Sequence, residues 1–306
     1  MSKRVVVLMG GWSAEREVSL ITGRAVAKGL KSAGYDVTAI DAGRDIAAVL
    51  DRLDPKPHAI FNALHGRYGE DGCIQGLLEI LGVPYTHSGP LASALAMNKA
   101  MAKRLFEAAG IPTAEGIVVH RDAAPAGPPM SPPFVVKPIN EGSSVGVRIV
   151  APGDNRANLE DDDFRFGDEV LVERYVAGRE VTVTVMGDRT LGVTEIRPRI
   201  GFYDYRAKYT DGVADHLVPA PIHPEAYGEA QRISLLAHRA LGCRGVSRAD
   251  LRYDDTAGEP GRLYLLEVNT QPGMTPLSLV PEQAAAAGID FPQLVSWMVE
   301  EARCDT

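Results

Sequence analysis

The chain has 306 residues and a formal net charge of −8, with 45% hydrophobic and 24% charged residues. That length holds about two ordinary domains or three small ones, and the composition is that of a globular protein with a real core. The acidic balance argues against a sequence-independent grip on nucleic acid, which needs a basic surface, and no run approaches the roughly 20 apolar residues of a membrane-spanning helix.

In chain order, "VVVLM" at 5–9 is a continuous apolar run. It is too short for a signal-peptide core and predicts a strand buried on both faces. Gly10 and Gly11 turn the chain. A helix is predicted from about Glu15, with Val18, Ile21 and Ala25 on one face, Val26 and Leu30 beside it, and Gly34 as its stop. "YDVTAID" and "HAIFNAL" read as strands, and "DGCIQGLLEILG" as a helix ending at Gly82. This strand–helix alternation predicts an α/β fold with a parallel sheet of Rossmann type. Cys73, Cys243 and Cys304 are far apart, with no CxxC, and read as reduced thiols of a cytoplasmic protein.

From Asn98 the character changes, and three units are expected at 1–97, 98–185 and 186–306. "NKAMAKRLFEAAG" is a predicted helix and "APAGPPMSPP" at 124–133 is an irregular proline-rich segment. "FVVK" and "GVRIV" are strands flanking the loop "PINEGSS", and "DEVLVERYV" and "EVTVTVMG" are further strands. A long polar-aromatic loop is expected at 200–217. A helix is expected near 224–241, closed by Gly242, then two strands and two terminal helices.

Two segments carry candidate chemistry. "GVSRADLRY" and "RLYLLEVNT" predict an antiparallel hairpin across "DDTAGEPG". Period two places Arg248 with Asp250, and Leu263 and Leu265 with Glu267 and Asn269. Two carboxylates and a carboxamide make a hard-oxygen set suited to Mg²⁺ with phosphate. The alternative is a salt-bridged or solvated strand face. In "KPINEGSSVGV", small residues can aim backbone N–H groups at an anion while Lys137 adds a point charge; the alternative is a mobile hairpin turn.

Six segments in one order, "GGWSAEREVSL", "ALHGRYGEDG", "VVKPINEGSSVGV", "FYDYRAKYTDG", "GVSRADL" and "LLEVNTQPGMTPLSLVP", resemble the successive signatures of the D-alanine–D-alanine ligase family. These are ligases of ATP-grasp fold. The resemblance covers residues 5–300 and implies a Rossmann-like domain followed by two α+β domains that clasp ATP. It implies that ATP phosphorylates the carboxylate of one D-alanine and that the amine of a second attacks the acyl phosphate, supplying a peptidoglycan precursor.

By this resemblance, Asp250, Glu267 and Asn269 would hold two Mg²⁺ (or Mn²⁺), with a role for K⁺ left open. Lys99 and Lys137 would meet the α and β phosphates, Lys208 the phosphate in transfer, and Ser144 the phosphate side through its backbone. Glu173 and Glu180 would contact adenine and ribose. Arg248 and the Gly273 N–H would form the oxyanion hole. Glu15 would bind the first D-alanine's ammonium group, with His65 near it or simply structural. Ser278 and the Leu279 N–H would bind the second D-alanine's carboxylate. Glu15, Ser143 and Tyr209 would link the amino-terminal domain, the glycine loop and a lid over the site. Trp12 departs from the small or polar residue expected there and reads as packing. The resemblance also implies a homodimer. Rival readings are a ligase joining D-alanine to D-lactate, which would replace Tyr209, another ATP-grasp ligase, or a nucleotide-binding protein without catalysis.

Overall fold

The structure is a computed structural model that describes residues 2–154, 156–199 and 213–305. The apolar run becomes β1 (Arg4–Gly10), paired in parallel with β2 (Asp36–Ala42) on one side and β3 (Ala59–Asn62) on the other. Its two faces enter different cores. Val5 and Val7 pack with Val26 and Leu30 of α1 (Arg16–Ser32). Val6 and Leu8 pack with Ile40, Ile74 and Leu78, the last two on α3 (Cys73–Leu81). A short helix, α2 (Ile46–Asp51), bridges the second and third strands. Burial on both faces is why β1 shows no polar alternation.

The buried side of α1 departs from expectation. Ile21 is 45% exposed, whereas Ser19 and Thr22 are buried. The two hydroxyls are satisfied: Ser19 Oγ donates to Ala63 O at 2.7 Å, and Thr22 Oγ1 lies 3.2 Å from His65 Nε2. Hydrogen bonding therefore sets the helix rotation against a purely apolar periodicity.

A second, antiparallel sheet has the order β4 (Gly116–His120), β7 (Glu169–Arg174), β5 (Phe134–Pro138), β6 (Arg148–Val150). The glycine loop, 139–147, joins β5 to β6. The third sheet runs β10 (Ala214–Leu217), β9 (Arg189–Pro198), β8 (Arg179–Met186), β11 (Val246–Asp254), β12 (Arg262–Asn269). Residues 214–217, expected as loop, are thus a strand on β9. β8 falls within the segment expected at 98–185, yet it hydrogen-bonds to β9 and β11 of the third sheet. α5 (Lys99–Ala108) follows α4 (Pro90–Met97) and also packs on that sheet, through Ala102 and Phe106. α6 (Pro224–Ala240) covers the same face with Ala226, Ala230, Ile233 and Ala237.

The hairpin forms as expected, but one inference from period two is corrected. Asp250 pairs with Glu267, while Leu251 pairs with Leu265, so a β-bulge leaves Leu266 unmatched. Leu263 and Leu265 are buried in the helix-covered core, as is Val268. Glu267 and Asn269 face the other way. The extra residue inverts the alternation between Leu265 and Glu267. Without it, the two polar side chains would point into the apolar core.

The chain ends on α7 (Leu279–Ala286) and α8 (Phe291–Glu300). α8 packs across the first sheet: Leu294, Val295 and Met298 share a core with Val5, Val7 and Phe61. No helix among the described residues is long and apolar enough to cross a membrane.

Candidate active site

Two cavities meet at the polar face of β11 and β12. One is a cleft between the second and third sheets, lined by Lys99, Lys137, Ser144, Glu173, Glu180, Asp250 and Glu267, with Val135, Ile149 and Leu266 as apolar walls. The other lies toward the first sheet and is lined by Glu15, His65, Ser143, Arg248, Asn269, Gly273, Ser278 and Leu279. Every described residue given a binding or catalytic role in the sequence lines one cavity or the other. Lys208 and Tyr209 lie outside the described residues.

The glycine loop divides the two spaces. Ser143 and Ser144 have φ values of 51° and 61°, in the left-handed region that residues with a Cβ seldom adopt. This local twist sends Ser143 to one cavity and Ser144 to the other. Ser143 Oγ donates to Glu15 Oε1 at 2.5 Å, tying the loop to the start of α1. Glu15 occupies the N-cap position but makes no side-chain cap bond, which leaves its carboxylate turned toward the cavity. Opposite it, Gly66 has φ 70°, and a Cβ there would stand 2.8 Å from Glu15 Oε2. The left-handed φ at this position favours glycine.

Charge in the site is internally paired. Asp250 accepts from Arg248 Nε at 2.8 Å and Nη2 at 2.7 Å, from Thr182 Oγ1 at 2.7 Å and from Asn269 Nδ2 at 3.0 Å. Glu267 lies 3.7 Å from Lys99 Nζ, which also donates to Glu141 O. Glu173 accepts from Lys137 Nζ at 2.7 Å and Lys103 Nζ at 3.0 Å. Burial pushes the Glu173 carboxyl up, but the two ammonium groups prevail and hold it below the usual carboxylate range. Glu180 lies 3.9 Å from Arg252.

At the amino-acid end, Ser278 Oγ accepts from Thr275 N at 2.9 Å. Ser278 precedes the first turn of α7, so the Leu279 N–H belongs to a helix N-terminus, a favourable place for a carboxylate. Gln283 anchors that helix to β8: Thr184 N donates to its Oε1 at 2.8 Å, and its Nε2 donates to Thr182 O at 3.2 Å. His65 is buried, with Thr22 at one ring nitrogen and Glu70 Oε2 3.8 Å from the other. Trp12 stacks obliquely on Tyr68, with centroids 5.6 Å apart, as a packing residue would.

Sequence reasoning did not single out Thr182, Lys103, Glu70 or Gln271. Thr182 and Lys103 sit inside ordinary strand and helix patterns, and only tertiary contacts distinguish them. Glu70 and Gln271 lie within the quoted motifs. Gln271 is buried, accepts from Asn62 Nδ2 at 2.8 Å and donates to Leu64 O, fastening the residues after β12 to the first sheet.

Among the described residues, no group of three or more His, Cys, Asp or Glu side chains forms a ready metal cluster. Asp250, Glu267 and Asn269 nevertheless share one strand face in paired register, and the two carboxylates each face a protein cation, Arg248 and Lys99. An all-oxygen set of this size suits a hard divalent cation whose remaining positions are filled by phosphate and water.

Comparison with known proteins follows this geometry closely. A profile described as the D-ala D-ala ligase C-terminus matches residues 105–300, and one described as the D-ala D-ala ligase N-terminus matches 47–88. The D-alanine–D-alanine ligase of Parvibaculum lavamentivorans is 61% identical, with 99% of each chain covered. That of Paramagnetospirillum magneticum is also 61% identical, over the whole of both chains. A crystal structure of D-alanine–D-alanine ligase from Bacillus anthracis complexed with ATP superposes with a TM-score of 0.84, at 30% identity, covering 98% of this chain and 97% of that one. The fold is the expected ATP-grasp architecture. The chain belongs to the D-alanine–D-alanine ligase family.

Proposed function

We propose that this chain joins two D-alanines to D-alanyl-D-alanine with ATP converted to ADP and phosphate by way of phosphoryl transfer to a D-alanine carboxylate, as a step in peptidoglycan precursor synthesis. The observation that carries the reading is the pair of cavities sharing one polar strand face, divided by a loop whose adjacent serines serve one cavity each. A nucleotide in the cleft would place its terminal phosphate beside Asp250 and Glu267. A D-alanine in the second cavity would set its ammonium group near Glu15.

The carboxylate oxygen of the first D-alanine attacks the terminal phosphorus, the bond to ADP breaks, and an acyl phosphate forms. The amine of the second D-alanine, its carboxylate at Ser278 and the Leu279 N–H, then attacks the carbonyl carbon. It loses its proton, and phosphate leaves with the bonding pair of the C–O bond. Arg248 and the Gly273 N–H offset the charge on the tetrahedral oxygen. One such donor is worth about 10²–10³ in rate. Mg²⁺ held by Asp250, Glu267 and Asn269 would neutralise phosphate charge during transfer. Arg248 gives Nε and Nη2 to Asp250, and a divalent cation at Asp250 would share or take over the role of its counter-charge.

Lys99 and Lys137 both line the cleft, each paired with a carboxylate that a phosphate would replace as its counter-charge. The lid role of Tyr209 and the phosphate contact of Lys208 belong to the same proposal, as do the cytoplasmic setting, the homodimer and any K⁺ requirement. The experiment is an ADP-release assay. Release should require ATP, Mg²⁺ and D-alanine together; release with a different amino acid and none with D-alanine would refute the substrate assignment.

A further inference from the structure

Lys103 is a buried ammonium group that the reaction above does not use. It donates to Glu173 Oε1 at 3.0 Å, to Thr113 Oγ1 at 3.0 Å and to Ala114 O. An ammonium group has three N–H bonds, so all are taken. Lys137, the other partner of Glu173, has that carboxylate as its one hydrogen-bond acceptor among the described residues. The two lysines are therefore unequal. Lys103 is fixed from three directions, whereas Lys137 can turn to a phosphate and give up only one bond.

Glu173 sits at a definite place in the cleft. It pairs across the sheet with Val135, one step farther from the glycine loop than Lys137. Val135, Ile149 and Leu266 supply apolar walls to the same cleft. With phosphate placed at Asp250, Glu267 and Ser144, as proposed above, the base would lie toward Glu173 and the apolar walls. An ionised carboxylate only accepts hydrogen bonds. ATP offers one N–H donor, the 6-amino group of its base. A 6-oxo purine presents an acceptor at that position instead, and its N–H moves to N1, off the line that the 6-amino group takes to the carboxylate.

We infer that Lys103 is a positioning residue for nucleotide choice: it keeps Glu173 ionised when Lys137 turns to phosphate, so that the cleft accepts a 6-amino purine and rejects a 6-oxo purine. The inference rests on the reading of the cleft as the ATP site. With Lys103 neutralised, the departure of Lys137 would leave a buried carboxylate without a counter-charge. It would then take up a proton, and a protonated carboxyl can donate to a 6-oxo group.

The test compares ATP with inosine triphosphate, which has a 6-oxo group and an N1–H in place of the 6-amino group and bare N1, in the wild type, Lys103→Met and Lys103→Arg. The wild type should favour ATP by at least about 100-fold in kcat/KM, as expected where a site is built around one hydrogen bond. In Lys103→Met the preference should fall to within about tenfold at pH 7 and grow again toward pH 9, while Lys103→Arg should keep most of it. An equal loss for both nucleotides in Lys103→Met, with the ratio and its pH dependence unchanged, would overturn the inference. If Lys103→Met does not fold, Lys103→Gln, which keeps an N–H donor but removes the charge, should lower the ratio in the same way; an unchanged ratio there overturns it too. The same ratio is read by equilibrium binding of the two nucleotides without amino acid. Failure of the wild type to release ADP with D-alanine would thus count against the ligase reading alone.

Discussion

Asp250 and Glu267 are cross-strand neighbours on one face, yet they should respond differently to loss of charge. Asp250 accepts four hydrogen bonds and balances the largely buried Arg248. Asp250→Asn should therefore lower both turnover and stability, the latter by about 1–3 kcal/mol. Glu267 has a weaker contact at 3.7 Å and is more open to solvent. Glu267→Gln should lower turnover by about 100-fold or more and leave the thermal midpoint within a few degrees. Thermal unfolding beside steady-state turnover separates the two, and near-normal turnover in Glu267→Gln would remove that residue from the proposed metal site. Strand spacing alone singled out both carboxylates but left a salt-bridged or solvated strand face as the alternative. It did not single out their partner Thr182, because a threonine in "EVTVTV" matches any strand, and only its 2.7 Å bond to Asp250 sets it apart.

The glycine loop and the β11–β12 hairpin show where local pattern suffices and where it stops. The strand, loop, strand order around "PINEGSS" follows from composition. That its two serines part company follows from two successive left-handed φ values, which no spacing announces. Ser143→Ala should raise KM for D-alanine by about tenfold, since one hydrogen bond to the charged Glu15 is lost, with little change in KM for ATP. Ser144→Ala, which keeps the backbone N–H, should alter either constant by no more than about threefold. Equal effects of the two substitutions on both constants would contradict the divided loop. In the hairpin, period two correctly joined Arg248 to Asp250 but misplaced Leu263 and Leu265 beside Glu267. The bulge at Leu266 is a one-residue event, and hydrophobic alternation shows it only after the register is known.

The molecule as a whole is less divisible than its three sheets suggest. α8 completes the core of the first sheet, and α5 belongs to the core of the third, so neighbours in space lie nearly 300 residues apart in the chain. Such pairings leave no trace in a local window, which is why the parallel sheet was foreseen and its covering helix was not. The end of the chain is held by Arg244, which donates to Asp305 at 2.9 Å, Arg303 O at 2.6 Å and Tyr85 O at 3.1 Å. Arg244→Ala should cost about 2–3 kcal/mol in denaturant unfolding. Burial also lowers two histidines, His238 to about 4 and His87 to about 3. Both stay neutral in the fold while the unfolded chain takes up protons below about pH 6.5. Stability is therefore fully present above that value and is lost as pH falls toward 4 and then 3, on the order of 1 kcal/mol per pH unit for each ring. His238→Gln should flatten the fall in thermal midpoint between pH 6.5 and 4; an unchanged slope would show that the ring is not the source. The central claim is that ATP activates D-alanine through its carboxylate. Its most direct test uses D-alanine labelled with heavy oxygen in that carboxylate, with mass spectrometry of the released phosphate. One labelled oxygen should appear in phosphate for each D-alanyl-D-alanine formed; unlabelled phosphate would contradict the acyl-phosphate route.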